Sequence, residues 1–104
     1  MINDEIRLLL DAPSFGAEAP SLEAIEHTLT AGYARALALE AERWRLERKI
    51  AELASLLAAD SRDRPAAELA ALGRRLSEAD GSLRQLRALL ASLRLRADEV
   101  RAAA

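Results

Sequence analysis

The chain contains one histidine, His27, and Glu23 precedes it by four residues. On a helix, two side chains at this spacing share a face and could approach one metal ion. Zinc and di-metal sites need three or more protein ligands, and the sequence has no second histidine and no cysteine to supply them. We therefore expect Glu23 and His27 to be ordinary surface residues, and we expect no metal and no other cofactor.

The residue sets that carry covalent or acid–base catalysis are also missing. Without cysteine or a second histidine, neither a Cys-His nor a convincing Ser-His-Asp set can be assigned. The four glycines are too scattered for a phosphate-binding loop. Asp98 and Glu99 are paired carboxylates, but they lie near the C-terminus, where burial that would shift a pKa is not expected. The sequence predicts that the protein is not an enzyme.

Arginine provides the one other chemistry that the sequence offers, which is the neutralisation of nucleic-acid phosphates. Three arginines recur at seven-residue spacing and would line one side of a helix: Arg87, Arg94 and Arg101. Three glutamates form a corresponding line earlier in the chain: Glu26, Glu40 and Glu47. Flanking charge pairs explain both lines, and the net charge of −2 does not favour nucleic acid. Nucleic-acid binding through the three arginines is therefore the alternative hypothesis.

These side chains must be positioned by helices, because a seven-residue apolar repeat runs along two long segments. The a and d positions of the first repeat are Leu22, Ile25, Leu29, Gly32, Ala36, Leu39, Arg43, Leu46, Ile50, Leu53 and Leu57. Those of the second are Leu69, Leu72, Leu76, Ala79, Leu83, Leu86, Leu90, Leu93, Ala97 and Val100. Each repeat places a narrow apolar stripe on one side of a helix, and a stripe has to pack against another apolar surface.

The helix boundaries follow from caps and breakers. Ser21 is a good N-cap for a helix over about 22–59, and residues 60–65 form a polar turn that closes with Pro65. A second helix is predicted over about 66–101, with the repeat continuing through Gly81. Two helices of similar length joined by a short turn are antiparallel neighbours. The predicted fold is all-α, a long antiparallel two-helix coiled-coil hairpin over residues 21–104.

Residues 1–20 are predicted to be a separate short helix and linker. Asn3 is the expected N-cap, and Pro13 and Gly16 end the helix. Ala17–Pro20 is expected to be extended. Four apolar residues would share one helical face: Ile2, Ile6, Leu9 and Leu10. Because about ten helical residues are marginal in isolation, this segment either docks on the hairpin or is disordered, and its apolar face favours docking.

Arg43 is the polar exception in the apolar stripe of the first helix. Its aliphatic stem can lie along the stripe while the guanidinium reaches solvent. Alternatively, it forms a buried pair with Asp80 or Glu78 of the second helix and so fixes the register. Both interpretations are structural.

A second, weaker apolar face lies beside the stripe of the first helix. It contains Tyr33, Leu37 and Trp44, and Leu89 and Leu95 widen the apolar surface of the second helix. A single hairpin would leave these side chains in water, and exposed apolar surface of this kind usually marks an interaction site. The N-terminal segment, a second copy of the chain or a different protein could cover it. The favoured interpretation is a homodimer that forms a four-helix bundle.

The composition and charge distribution indicate how the helices pair and where the protein is located. Residues 1–60 carry 6 basic and 11 acidic side chains, whereas residues 61–104 carry 9 basic and 6 acidic ones, as expected for an acidic helix beside a basic one. No apolar run approaches the ~20 residues that span a bilayer, and the acidic N-terminus is unlike a secretory signal. These features predict a cytoplasmic protein, and abundant arginine and alanine suggest a bacterial source.

The predicted function is a non-enzymatic protein–protein interaction module, that is, an adaptor, an assembly subunit or a regulatory accessory, whose protein partner the sequence does not identify.

Overall fold

The structure of the chain, a computed structural model, describes residues 1–59 and 63–104. All regular elements in these ranges are helices, namely α1 (Ile2–Asp11), α2 (Leu22–Ala59) and α3 (Asp63–Ala103). The prediction of an all-helical protein is thereby confirmed for the part of the chain that is described. The first half of the predicted 60–65 turn, residues 60–62, lies outside the described residues. Helix α3 includes 63–65, since proline is tolerated in the first turn of a helix.

The N-termini of α1 and α2 are capped differently. At α2, the Ser21 hydroxyl accepts a hydrogen bond from the Ala24 amide at 3.1 Å, as an N-cap serine should. At α1 the prediction of an Asn3 cap is wrong. Helix α1 begins at Ile2, two residues earlier than an Asn3 cap would place it, with Met1 at the cap position and no side-chain cap. The Met1 carbonyl accepts the amides of the first turn instead, and Asn3 lies within the helix.

Helix α1 ends at Asp11, two residues before Pro13. The segment that follows is not extended as predicted, because it contains a turn. The Ala19 amide donates to the Gly16 carbonyl at 3.2 Å, and Gly16 has a φ of 99°. A positive φ of this size favours glycine, so the residue expected to break α1 also shapes the connection to α2.

The apolar repeat accounts for almost all of the buried side chains. Of the thirteen apolar residues that are buried in the described part of the chain, twelve occupy a or d positions of the two repeats, and the thirteenth is Ile6 of α1. Helix α3 continues through Gly81, as the unbroken repeat predicts. The chain divides into two compact units, Met1–Leu37 with Arg84–Ala104, and Ala38–Leu83.

The first unit contains α1, the beginning of α2 and the end of α3. Its segments of α2 and α3 run antiparallel, since Glu26 pairs with Arg101 and Gly32 faces Leu90. Helix α1 docks in this unit, with Ile6 fully buried. The α2 and α3 stripes thus gain a third apolar surface, the one predicted for α1.

Arg96 holds the C-terminal end of α1 in place. Its guanidinium donates hydrogen bonds to the carbonyls of Leu10 and Ala12, each at 3.0 Å, and to that of Leu9 at 3.4 Å. The last carbonyls of a helix have no partner within the helix and carry partial negative charge. A cation that binds several of them therefore caps α1 and fixes it to α3.

The second unit consists of the end of α2 and the beginning of α3. Leu46, Leu72 and Ala79 form its buried cluster, against which three half-buried residues pack: Ile50, Leu53 and Leu76. No helix in the described ranges has an apolar stretch long enough to cross a membrane.

Candidate interaction surface

In the first unit, two large side chains of α2 stay exposed although the stripe beside them is buried. Tyr33 is 42% exposed and Leu37 is 66% exposed. They lie four residues apart and therefore on one side of the helix. Docking of α1 does not cover them. The N-terminal segment, which the sequence offered as one possible cover, therefore does not shield these two residues from solvent.

Tyr33 lies beside Arg94 of α3. Hydrogen bonding with the Tyr33 hydroxyl, followed by the charge interactions with Tyr33 and Asp98, raises the pKa of Arg94 above its ordinary value. A guanidinium is already charged throughout the physiological range, so the shift leaves its charge there unchanged.

The arginine line proposed as a nucleic-acid face is occupied by partners within the chain. Arg101 donates to Glu26 at 2.8 Å and to Asp98 at 3.0 Å, and the hydrogen bond to Glu26 is the main reason that the pKa of Arg101 is raised. Arg94 lies 3.9 Å from Asp98, and Arg87 likewise has an interaction partner. Exposed pairs of this kind contribute little stability, but they reduce the positive potential that a phosphate backbone would meet.

The two α3 leucines proposed for the interaction surface have different environments. Leu95 is 64% exposed and points away from the buried stripe, whereas Leu89 is half-buried. Leu89 lies seven residues before Arg96 and so on the side of α3 that holds α1. Leu95 is therefore the more available of the two for a partner.

In the second unit, the exposed aromatic residue of α2 is Trp44, at 57% exposure. The Arg48 guanidinium lies over its ring, 4.8 Å from the centroid, which is a cation–π geometry. Arg45 and Lys49 flank the pair, and a shallow groove runs between these basic residues and Glu52. The surface around Trp44 thus combines an apolar ring with positive charge.

Arg43 occupies an a position in the same unit. Its guanidinium lies 3.4 Å from Asp80 of α3 and 3.4 Å from Glu47 of α2. All three side chains are about half exposed, so the pair with Asp80 exists but is not buried. The stem of Arg43 follows the stripe while its charge is solvated.

The remaining sequence candidates do not come together as a site. Glu23 and His27 are both exposed, and the described residues include no group of three or more His, Cys, Asp or Glu able to hold a metal ion. Sequence reasoning missed the function of Arg96, because nothing in the repeat indicates where α1 docks.

No protein-family model, no curated protein and no solved structure matches this chain. Its function therefore has to be inferred from its own residues and their surroundings.

Proposed function

We propose that the chain is a non-enzymatic helical protein–protein interaction module, an adaptor, assembly subunit or regulatory accessory. In this proposal α2 and α3 form one antiparallel hairpin, and two copies associate as a four-helix bundle. The observation that carries the proposal is the exposure of Tyr33, Leu37 and Trp44 on α2 while the apolar stripe is already buried.

The exposed side chains are not required for the core of one chain. The a and d positions provide all but one of the buried apolar residues in the described ranges, so the three α2 residues add nothing to the core. Tyrosine and tryptophan are enriched at the centres of protein interfaces. Their placement beside a satisfied core is typical of a surface that a partner covers.

A second copy is the occupant that the residues favour. About 100 Å² of apolar ring surface removed from water on a residue such as Trp44 contributes about 2.5 kcal/mol. In a two-fold symmetric dimer the same residue is buried twice, so that contribution is doubled. A few such side chains can then offset the entropy that association costs.

The test is sedimentation of Tyr33→Ala and Trp44→Ala beside the unchanged chain, with circular dichroism to follow helicity. We expect each substitution to weaken self-association about tenfold or more, as interface aromatics do, with helicity retained. Phe15→Ala is the matched control, because Phe15 is an exposed aromatic in the linker and not on α2. A monomeric unchanged chain at high concentration would rule out the homodimer.

The nucleic-acid alternative is less favoured because Arg94 and Arg101 are engaged with acidic side chains. Retention on a DNA or RNA duplex at low salt, lost steeply as salt rises, would be the signature of phosphate neutralisation. We expect no retention.

A further inference from the structure

Helix α1 is held in the first unit by one apolar and one polar anchor. The apolar anchor is Ile6, the buried side chain of α1, which lies beside Gly32 of α2. The polar anchor is Arg96 of α3, 18% exposed, whose guanidinium donates to the last carbonyls of α1. The end of any helix offers such carbonyls, because they have no partner within the helix. Neither anchor therefore requires α1 and the surface that receives it, the α1 groove, to belong to the same chain.

The connector between α1 and α2, residues 12–21, contains a turn that depends on one glycine. Gly16 has a φ of 99°, and its carbonyl accepts a hydrogen bond from the Ala19 amide. A residue with a β-carbon disfavours this φ, although a β-carbon built at Gly16 would meet no other atom within 4 Å. Pro13 and Pro20 act in the opposite direction, since a proline keeps the residue before it extended. The connector is thus a chain that favours extension and is folded by Gly16.

We propose that two copies of the chain exchange their α1 helices, with Gly16 as the hinge, so that α1 of each copy docks in the α1 groove of the other. This inference rests on the proposed self-association and names the segment that passes between the copies. Exchange of an identical element requires no new contact, because Ile6 and Arg96 make the same contacts in either arrangement. An extended connector of residues 12–21 spans up to about 33 Å, which is several times the diameter of a helix.

A second copy is the occupant that the α1 groove specifies. The groove accepts a helix whose large aliphatic side chain reaches Gly32 while its C-terminal carbonyls reach Arg96, and α1 has both at the required separation. Every copy carries such a helix at the end of its own connector. At ten residues, α1 is marginal as an isolated helix, so a detached α1 is stabilised by docking in any free groove of this kind.

The first experiment mixes two full-length variants with complementary defects. Ile6→Asp removes the apolar anchor of α1 but keeps the groove, whereas Arg96→Met impairs the groove but keeps α1. Amide hydrogen exchange is followed in an isotope-labelled Arg96→Met chain, to which unlabelled Ile6→Asp chain is added in excess. We expect exchange at residues 2–11 of the labelled chain to slow about tenfold or more, because its α1 docks in the intact groove of the other chain. Unlabelled Arg96→Met chain is the matched control, since it offers no intact groove.

The second experiment changes the hinge and leaves both anchors intact. Gly16→Val should raise the association constant about tenfold or more, because a β-branched residue is strained at a positive φ and the extended connector of the exchanged dimer relieves that strain. Ala17→Val is the matched control, because it places the same side chain at the next exposed residue, where φ is not positive. Sedimentation measures association, and circular dichroism confirms that all variants remain helical.

Protection that passes to the labelled chain, together with tighter association of Gly16→Val, supports the exchange. Protection that does not return, or equal association of Gly16→Val and Ala17→Val, overturns it. If the unchanged chain still dimerises in that case, and Tyr33→Ala and Trp44→Ala still weaken the dimer, the proposed self-association through α2 stands without exchange. An unchanged chain that is monomeric at every concentration overturns both proposals.

Discussion

At Gly32 of α2, side chains from the other two helices of the first unit approach the helix backbone. A β-carbon at this position would overlap the Leu90 side chain of α3 and would contact Ile6 of α1. Leu90 is itself buried, so it has little room to move. The small residue that interrupts the apolar repeat in the sequence is therefore required by the packing of its neighbours.

Gly32→Ala should lower the free energy of unfolding by about 1 kcal/mol. Alanine favours the helix by about 1 kcal/mol relative to glycine, but overpacking a close-packed core costs about 1–3 kcal/mol. Gly81→Ala is the matched control, since a β-carbon there meets nothing within 4 Å and the substitution should stabilise the protein. Urea unfolding of both variants measures the difference, and equal stabilisation by the two would contradict the close approach at Gly32.

At the scale of elements, the sequence predicted the helices far better than their docking. The a and d repeat specified the buried faces of α2 and α3, because a helix of many turns has only one face that keeps such a stripe together. Helix α1 has ten residues and no repeat, so its apolar face could be predicted but not the groove that receives it. Arg96 was unremarkable in the sequence because its partners are backbone carbonyls, which any sequence provides.

Arg96→Met should release α1 while α2 and α3 remain helical. Methionine keeps an apolar stem but removes the charged hydrogen bonds to the end of α1, and bonds to charged groups contribute about 1.5–3 kcal/mol. Amide hydrogen exchange should show faster exchange in residues 2–11. Arg84→Met is the control on the same helix, at an exposed position. Undiminished protection of α1 in the Arg96 variant would show that Ile6 holds the helix alone.

At the scale of the whole molecule, an even repeat gives uneven burial. In the first unit α1 covers the two stripes, and Ile25, Leu93 and Ala97 are at most 1% exposed. In the second unit, Leu46 is the last buried apolar residue of α2, and Leu72 is the first buried one among the side chains described for α3. The sequence could not show this difference, because the stripe continues unchanged from one unit to the other.

The uneven burial predicts an order of local opening. Exchange through local unfolding is governed by the apolar contacts that must be broken, and these are fewer around Leu53 and Leu57 than around Ile25 and Leu93. We expect amides of residues 50–59 and 66–71 to exchange at least about tenfold faster than those of 25–36 and 86–97, since each 1.4 kcal/mol of local stability is a factor of ten. The measurement should be made below and above the concentration at which the chain associates. Uniform protection at low concentration would mean that both units open as one cooperative body, and that the thinner core is not the weaker one.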